Sequence, residues 1–207
     1  MKNEIITVAA RLLKQHGYDK TTYQMIADIL GISKSVITYH FKSKQLMVSS
    51  IFEDYVGLIQ EYVNANLTDG FNFYLYHCIV HICLYREVMS IGNIKEIFFH
   101  KDIFSLWFNG KLDIIENSFR DITTDFKKDF TDDDIHLTAV MNQGAKQSLY
   151  YEFLENPGIM SVDKYCYYYV YLLGLLSKLD ESTIQKNITR AYEFLSNHNT
   201  PVIDLLR

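Results

Sequence analysis

Two histidines and a cysteine stand together in an apolar segment and are the first candidates for chemistry. His77 and His81 are four residues apart, so on a helix they share one face, with Cys78 beside the first of them. Two such side chains can act as metal ligands in a metal-dependent enzyme. No carboxylate or third histidine completes a ligand set at a recognisable spacing. Buried or pocket-lining histidines are therefore the favoured interpretation, and we expect no metal and no other cofactor.

Catalytic sequence patterns are also missing. The acidic run 132–134 can attract a cation, but acidic residues in the first turn of a helix are explained by the helix dipole. The nucleophile elbow, the phosphate-binding loop, the HExxH zinc motif and the dinucleotide fingerprint do not occur. The sequence predicts a binding protein and not an enzyme.

The composition predicts a globular, all-α protein. The chain has 207 residues, of which 48% are hydrophobic, nine are glycine and only two are proline. Its longest uncharged run, residues 70–85, is shorter than the roughly 20 apolar residues that a membrane-spanning helix needs. The three cysteines form no CxxC pair, which fits a reducing compartment. We expect a cytoplasmic protein without membrane contact.

Charge is unevenly distributed along the chain. Residues 1–45 carry seven basic and three acidic side chains, a net charge of +4, whereas the remainder carries a net charge of -9. A basic segment on an acidic body indicates an anionic partner for that segment alone.

The basic segment has the pattern of three short helices. Residues 3–16 repeat apolar side chains at helical spacing, and Gly17 predicts the end of that helix. Thr21 and Gln24 have the spacing of a capping box, so Thr21 is expected to cap a second helix that runs to Gly31. Ser33 is the expected N-cap of a third helix, which ends at about Phe41.

The second and third of these helices have the spacing of a helix-turn-helix. Ala27 is a small residue for the crossing, Gly31 tolerates a positive φ in the turn, and Ile37 is an apolar anchor. The third helix separates into a packed face and a polar face. The packed face contains Val36, Ile37, His40 and Phe41; the polar face contains Lys34, Ser35, Thr38, Tyr39 and Lys42. A recognition helix needs such an arrangement, because it is held from behind while its front enters the major groove.

Four stretches of this segment together resemble the N-terminal domain of the tetracycline-repressor (TetR) family. They are Gly17-Tyr18-Asp19-Lys20-Thr21-Thr22, Ile26-Ala27, Gly31-Ile32-Ser33-Lys34 and Tyr39-His40-Phe41-Lys42-Ser43-Lys44. The resemblance covers about the first 50 residues and implies a dimeric, all-helical bacterial transcription regulator with an effector-binding C-terminal domain. Ser35 and Thr38 depart from the family pattern, on the face that reads DNA.

The resemblance, combined with the faces of the helices, assigns roles on DNA. Lys34, Ser35 and Thr38 are expected at base edges. Tyr39 and His40 are implied phosphate contacts, although His40 also lies on the packed face by periodicity. Lys44, which follows the expected N-cap Ser43, is a further implied phosphate contact. The full expected DNA-contacting set is Thr22, Tyr23, Ser33, Lys34, Ser35, Thr38, Tyr39, His40 and Lys44.

Residues 46–207 predict a second, larger helical domain after the helix-turn-helix domain of residues 1–45. Its helices are expected at about 44–66, 71–90, 93–99, 103–126, 131–156, 161–179 and 182–196. Aromatic residues make up 14% of the chain, and large stiff side chains suit the wall of a ligand cavity, although ordinary core packing also explains them. The expected ligand-lining residues are Tyr62, Tyr74, His77, His81, Tyr85, Phe104, Trp107, Phe108 and Met141.

Two late helices are expected to form the dimer interface, because Gly144, Ala145 and Ser148 in one, and Gly174 and Ser177 in the other, permit close approach. The sequence thus predicts a homodimeric, ligand-responsive repressor that a small molecule releases from a palindromic operator in double-stranded DNA. The helix at 44–66 joins both domains and is the expected transmitter. The alternatives are a protein-interaction module with secondary DNA affinity and a metal-dependent enzyme that uses His77 and His81.

Overall fold

Every regular element in the described part of the chain is an α-helix, which confirms the predicted fold class. The computed structural model describes residues 1–90, 92–103, 106, 112–156 and 158–198, without the side chains of 92–94. The helices are α1 (Lys2–Lys20), α2 (Tyr23–Leu30), α3 (Lys34–His40), α4 (Lys44–Asn66), α5 (Phe73–Ser90), α6 (Gly92–Phe98), α7 (Leu112–Asp125), α8 (Asp132–Glu155), α9 (Val162–Leu176) and α10 (Glu181–Asn197). None of them is both long and apolar enough to cross a membrane.

The chain divides into two compact units. The first contains residues 1–58 and the described part of 87–107; the second contains residues 59–86 and the described part of 108–200. The domain boundary expected after residue 45 stays a prediction.

The first unit packs α1 against α2 and α6. The apolar repeat of α1 lies inward as predicted, with Ile5, Ala9 and Leu13 buried. Gly17 interrupts α1 with a φ of 75°, the left-handed conformation that glycine adopts without steric cost. The rings of Phe52 and Phe98 meet edge to face at a centroid distance of 4.8 Å in the core.

The predicted cap of α2 is wrong by one residue. Thr22, and not Thr21, is the N-cap, because the hydroxyl oxygen of Thr22 accepts a hydrogen bond from the amide of Met25 at 3.3 Å. The hydroxyl group of Thr21 instead donates to the carbonyl oxygen of Gly17 at 2.8 Å, and its side chain is buried. Gln24 donates to the carboxylate of Asp28 and closes no capping box.

The second unit is built from helices with strong N-caps. Thr131 and Asp134 form a reciprocal capping box at the start of α8, where the sequence predicts a cap and an acidic first turn. Ser161 caps α9, and Asp180 caps α10. Helix α8 packs against α7 and α9, and α9 packs against α10.

The interface role expected for Gly174 and Ser177 needs correction. Gly174 and Ser177 are buried and do not lie on an outer face of α9. A Cβ at Gly174 would lie 2.6 Å from the hydroxyl oxygen of Tyr74, so this glycine lets α9 approach α5 within the unit. Residues 104, 105 and 107–111 of the helix expected at 103–126, and Pro157 after α8, lie outside the described residues.

Candidate nucleic-acid interface and a buried polar cluster

Helices α2 and α3 form a helix-turn-helix around the three residues expected at the crossing. Gly31 ends α2 with a φ of 63°, and its amide donates to the carbonyl oxygen of Ala27. The amide of Ile32 donates to the same oxygen at 3.1 Å. Ala27 and Ile37 are buried, so the back of α3 is fixed against α2. This local geometry gives α3 one well-defined orientation.

The front of α3 is open to solvent and carries the expected base-reading side chains. Lys34, Ser35 and Thr38 are exposed, and Tyr39 is 84% exposed. The Thr38 hydroxyl donates to the carbonyl oxygen of Lys34 at 3.1 Å, and the hydroxyl groups of Ser33 and Ser35 are 2.6 Å apart. Ser33 is the N-cap by position, but its side chain makes no capping hydrogen bond. The exposed hydroxyl groups can still meet the edges of bases.

The expected phosphate-contacting residues at α2 and at the end of α3 differ in exposure. Thr22 is exposed at the N-terminus of α2, where backbone amides favour an anion. Tyr23 is half-buried, and its hydroxyl group donates to the carbonyl oxygen of Phe41 at 3.1 Å. Burial raises the pKa of Tyr23. His40 is half-buried and its ring meets that of Tyr39 edge to face. Tyr23 therefore ties α2 to the end of α3, whatever it also contacts.

Lys44 begins α4 and is held against the end of α1. Its Nζ donates to the carbonyl oxygen of Thr21 at 2.9 Å and lies 4.1 Å from the centre of the Tyr18 ring. Burial lowers the pKa of Lys44, while the charges of Asp19 and Asp102 oppose that shift. The ammonium group has three donors, so the bond to Thr21 leaves two for another acceptor.

A cluster of buried polar side chains lies inside the second unit and is formed by three helices. Each helix contributes residues four apart, and therefore on one face: α5 supplies His77, His81 and Tyr85, α8 supplies Asn142 and Lys146, and α9 supplies Tyr165 and Tyr169. We call these seven residues the Lys146 cluster.

Ring contacts and a cation–π contact hold the Lys146 cluster together. The Nζ of Lys146 lies 3.7 Å from the centre of the Tyr169 ring. The same ring lies 5.1 Å from His81 and 4.5 Å from Tyr85, centre to centre, and the hydroxyl groups of Tyr85 and Tyr169 share a hydrogen bond. The imidazoles of His77 and His81 stack at 6.0 Å.

Several polar atoms of the Lys146 cluster have no hydrogen-bond partner in the described part of the chain. They are Nε2 of His77, Nδ1 of His81, both amide atoms of Asn142 and the hydroxyl oxygen of Tyr165. Burial lowers the pKa of His77 to about 4, and that of His81 also falls, so both imidazoles are neutral at pH 7. Burial also lowers the pKa of Lys146 to about 7.

Comparison with known proteins identifies the N-terminal segment. The family model "Bacterial regulatory proteins, tetR family" matches residues 5–51. Residues 5–51 are therefore similar to the N-terminal domain of tetR-type bacterial regulatory proteins.

Sequence similarity to HTH-type transcriptional regulators covers less than a third of the chain. The chain is 42% identical over 57 residues to the uncharacterized HTH-type transcriptional regulator YerO of Bacillus subtilis, covering 28% of this chain and 20% of YerO. It is 41% identical over 64 residues to IcaR of Staphylococcus aureus, the negative transcriptional regulator of the biofilm operon icaADBC. That match covers 31% of this chain and 32% of IcaR. The alignments thus span a third or less of these relatives.

The fold similarity extends further. SmeT, the repressor of the Stenotrophomonas maltophilia multidrug efflux pump SmeDEF, aligns with a TM-score of 0.54 at 17% identity, covering 84% of this chain and 89% of SmeT. The SmeT–triclosan complex aligns with a TM-score of 0.52 at 17% identity, covering 84% of this chain and 90% of that one. At this identity the comparison establishes the tetR-type fold alone.

The expected ligand-lining residues are only partly brought together. His77, His81 and Tyr85 belong to the Lys146 cluster. Tyr74 is core, since it is buried and its hydroxyl group donates to the carbonyl oxygen of Val170 at 3.0 Å. Tyr62 packs its ring against Phe194.

The other expected lining residues are not in the cluster. Met141 is 55% exposed on the outer face of α8, so the structure does not bring it to the buried histidines. Phe104, Trp107 and Phe108 lie outside the described residues.

The sequence reasoning missed the polar residues that face the histidines. Asn142 and Lys146 have the four-residue spacing of one helix face. The small and apolar residues of the same helix dominate its sequence pattern, so this pair is not singled out. Within the described ranges, no group of three or more His, Cys, Asp or Glu side chains forms a metal site. Within those ranges, no third metal-ligating side chain therefore joins His77 and His81.

Proposed function

We propose that this protein is a homodimeric, sequence-specific DNA-binding repressor that a small-molecule effector releases from a palindromic operator. The strongest support is α3, whose back is fixed by Ala27 and Ile37 while Lys34, Ser35 and Thr38 are exposed on its front. A rigid helix with an exposed polar and basic face fits the major groove. Access to bacterial DNA also implies a cytoplasmic location.

A second copy of the chain is the partner that this function requires, because two recognition helices must reach half-sites about one DNA turn apart. An outer face of α8 is suited to that contact. Large apolar side chains there are exposed, among them Leu137 (58%) and Met141 (55%), with Tyr151 and Leu154 further along. Gly144, Ala145 and Ser148 lie exposed between them and permit close approach of a second helix. We call this surface the α8 stripe.

The α8 stripe is more apolar than a solvated helix face requires, and its residues recur every three or four positions. Tyr168 and Leu175 add exposed apolar area on α9, in place of the buried Gly174 and Ser177. We infer that α8 and α9 pair with their copies about a two-fold axis, which makes the operator palindromic.

Selection from a random duplex DNA library at near-physiological salt, followed by sequencing, tests the proposal. The expected result is an enriched palindrome with half-sites about one turn apart. Lys34→Ala should change the preferred base at one position of each half-site. The charge-matched control is Lys186→Ala, an exposed lysine of α10, which should leave the motif unchanged. Weak, salt-sensitive binding without a motif would contradict sequence-specific repression and favour a protein-interaction module.

A further inference from the structure

The Lys146 cluster contains a buried cation that has no anionic partner in the described part of the chain. Lys146 is only 4% exposed, and its Nζ faces the ring of Tyr169. No carboxylate among the described residues lies within ion-pair distance of it. A buried charge is unfavourable unless it is paired, and the contact with the Tyr169 ring offsets only part of that cost.

The unpartnered atoms around Lys146 add hydrogen-bonding capacity in the same place. Asn142 is fully buried one turn before Lys146, and its amide has two donors. The neutral imidazoles of His77 and His81 each carry one N–H group, and the hydroxyl group of Tyr165 is a further donor. Buried polar atoms nearly always have partners in native proteins. Five such atoms in one cluster with a buried lysine therefore point to a bound polar group.

The partial exposure of His77 and His81 gives a ligand access to the Lys146 cluster from solvent. The unpartnered nitrogens themselves are sealed from solvent, but the two side chains as a whole are only half-buried. The cluster therefore reaches the surface along α5.

The charge and the walls of the cluster define the class of ligand. One lysine neutralises one negative charge, which fits a monoanion and leaves a phosphate dianion half compensated. Donors on three helices suit the two oxygens of a carboxylate. The rings of Tyr85 and Tyr169 lie against each other and against His81, Tyr169 also contacts Lys146, and such rings suit a flat or apolar ligand body.

We propose that the Lys146 cluster is the effector site and binds hydrophobic monocarboxylic acids, an inference that rests on the proposed ligand-responsive function. The carboxylate contacts Lys146, Asn142 and the two imidazoles, and the apolar body packs on the tyrosine rings.

Protons are coupled to this binding. The titratable groups placed against Lys146 are His77, Cys78 and His81 from α5 and Tyr169 from α9. None of them is an anion at pH 7, since burial raises the pKa of Cys78 and of Tyr169. A bound carboxylate raises the pKa of Lys146 above its free value of about 7. Binding at pH 8 therefore takes up a proton, and affinity falls by up to about tenfold per pH unit above 7.

The test is calorimetric titration of the full chain, without DNA, with acetate, hexanoate, benzoate and 1-naphthoate, each beside its neutral carboxamide. We expect at least one of the larger acids to bind, and its amide to bind about tenfold more weakly or not at all. At pH 8, titrations in buffers of different ionisation enthalpy should reveal proton uptake. Lys146→Met should lose the preference for the acid and keep or raise the melting temperature, since it removes a buried charge. Lys186→Met is the charge-matched control.

Asn142→Leu is the second variant, because leucine has the branched shape of asparagine without the amide group. It should weaken binding of the acid several-fold. The inference is overturned if no acid binds the wild type, if acids and amides bind equally, or if both variants bind the acid as the wild type does. Library selection without the acid separates the two proposals. If the chain binds an operator but no acid, only the proposed effector site is overturned. If it binds the acid but no operator, the proposed repressor function is overturned.

Discussion

Replacing Gly174 by alanine should destabilise the second unit, although alanine favours helix more than glycine does. An added Cβ would lie 2.6 Å from the hydroxyl oxygen of Tyr74 and 2.9 Å from Cγ1 of Ile184. Tyr74 cannot retreat cheaply, because it is fully buried and its hydroxyl group donates to the carbonyl oxygen of Val170 at 3.0 Å. The methyl group must therefore both separate α9 from α5 and disrupt that hydrogen bond.

Three terms set the size of the effect. Overpacking of a core costs about 1–3 kcal/mol. A buried hydroxyl group that loses its partner costs about 1–3 kcal/mol. Replacing a mid-helix glycine returns about 1 kcal/mol. We expect a net loss of about 2–3 kcal/mol in the free energy of unfolding, which lowers the melting temperature by about 5–10 °C in a protein of this size.

Urea and thermal unfolding followed by circular dichroism measure this loss. Gly57→Ala is the matched control, since Gly57 lies within α4 and a Cβ there meets nothing within 4 Å. That variant should be about 0.5–1 kcal/mol more stable than the wild type. If Gly174→Ala gained stability as Gly57→Ala does, the close approach of α9 to Tyr74 would be refuted.

Three further predictions concern DNA, the dimer and pH. Lys44→Ala should weaken binding to all DNA sequences alike and reduce the slope of log K against log salt by about one, whereas Lys34→Ala should change preference by about 1–3 kcal/mol at one base pair. Salt titrations on several duplexes decide this, and equal losses on every sequence from both variants would contradict the division of roles. Met141→Glu places a charge on the α8 stripe and should shift sedimentation velocity from dimer to monomer with unchanged circular dichroism; a persisting dimer would exclude the stripe as the interface. Because burial lowers the pKa of His77 from 6.5 to about 4, the unfolded chain takes up the proton first. Stability is therefore lost as pH falls from about 6.5 to 4, by about 1.4 kcal/mol per pH unit. Urea unfolding between pH 4 and 7 should show a shallower loss for His77→Gln, and an unchanged slope would mean that His77 is protonated in the folded chain.

The helix-turn-helix was predictable because its residues act locally. Ala27, Gly31 and Ile37 fix a turn through backbone conformation and burial within a dozen residues, and a spacing pattern captures both. The cap of α2 was missed by one residue because Thr21 and Thr22 are chemically equal candidates. The choice depends on the carbonyl oxygen of Gly17, which takes the hydroxyl group of Thr21 once α1 has turned.

The Lys146 cluster was only half predictable because it depends on the packing of distant helices. The spacing of His77 and His81 marks them as a pair, but the sequence does not show that Lys146 of α8 lies near them. Periodicity places apolar residues inward by default, and on that rule Met141 was expected to line a pocket. Gly174 was likewise expected at an interface, and only the position of Tyr74 reveals why a glycine is needed there.

Helix α8 departs from the usual pattern of a surface helix at four positions, and these positions connect the two proposed sites. It buries Asn142 and Lys146 and exposes Leu137 and Met141, an arrangement that a solitary subunit in water disfavours on both faces. In the proposed function a second copy of the chain covers the outer face, and in the proposed effector site an acid binds the inner one. Since both partners then bind one helix, linkage requires any coupling to be reciprocal. The factor by which a saturating acid changes the dimer dissociation constant must equal the factor by which dimerisation changes acid affinity per dimer. Sedimentation with and without the acid, and calorimetry above and below the dissociation constant, measure the two factors independently. A value of one for both factors would show that the acid and the second copy bind independently.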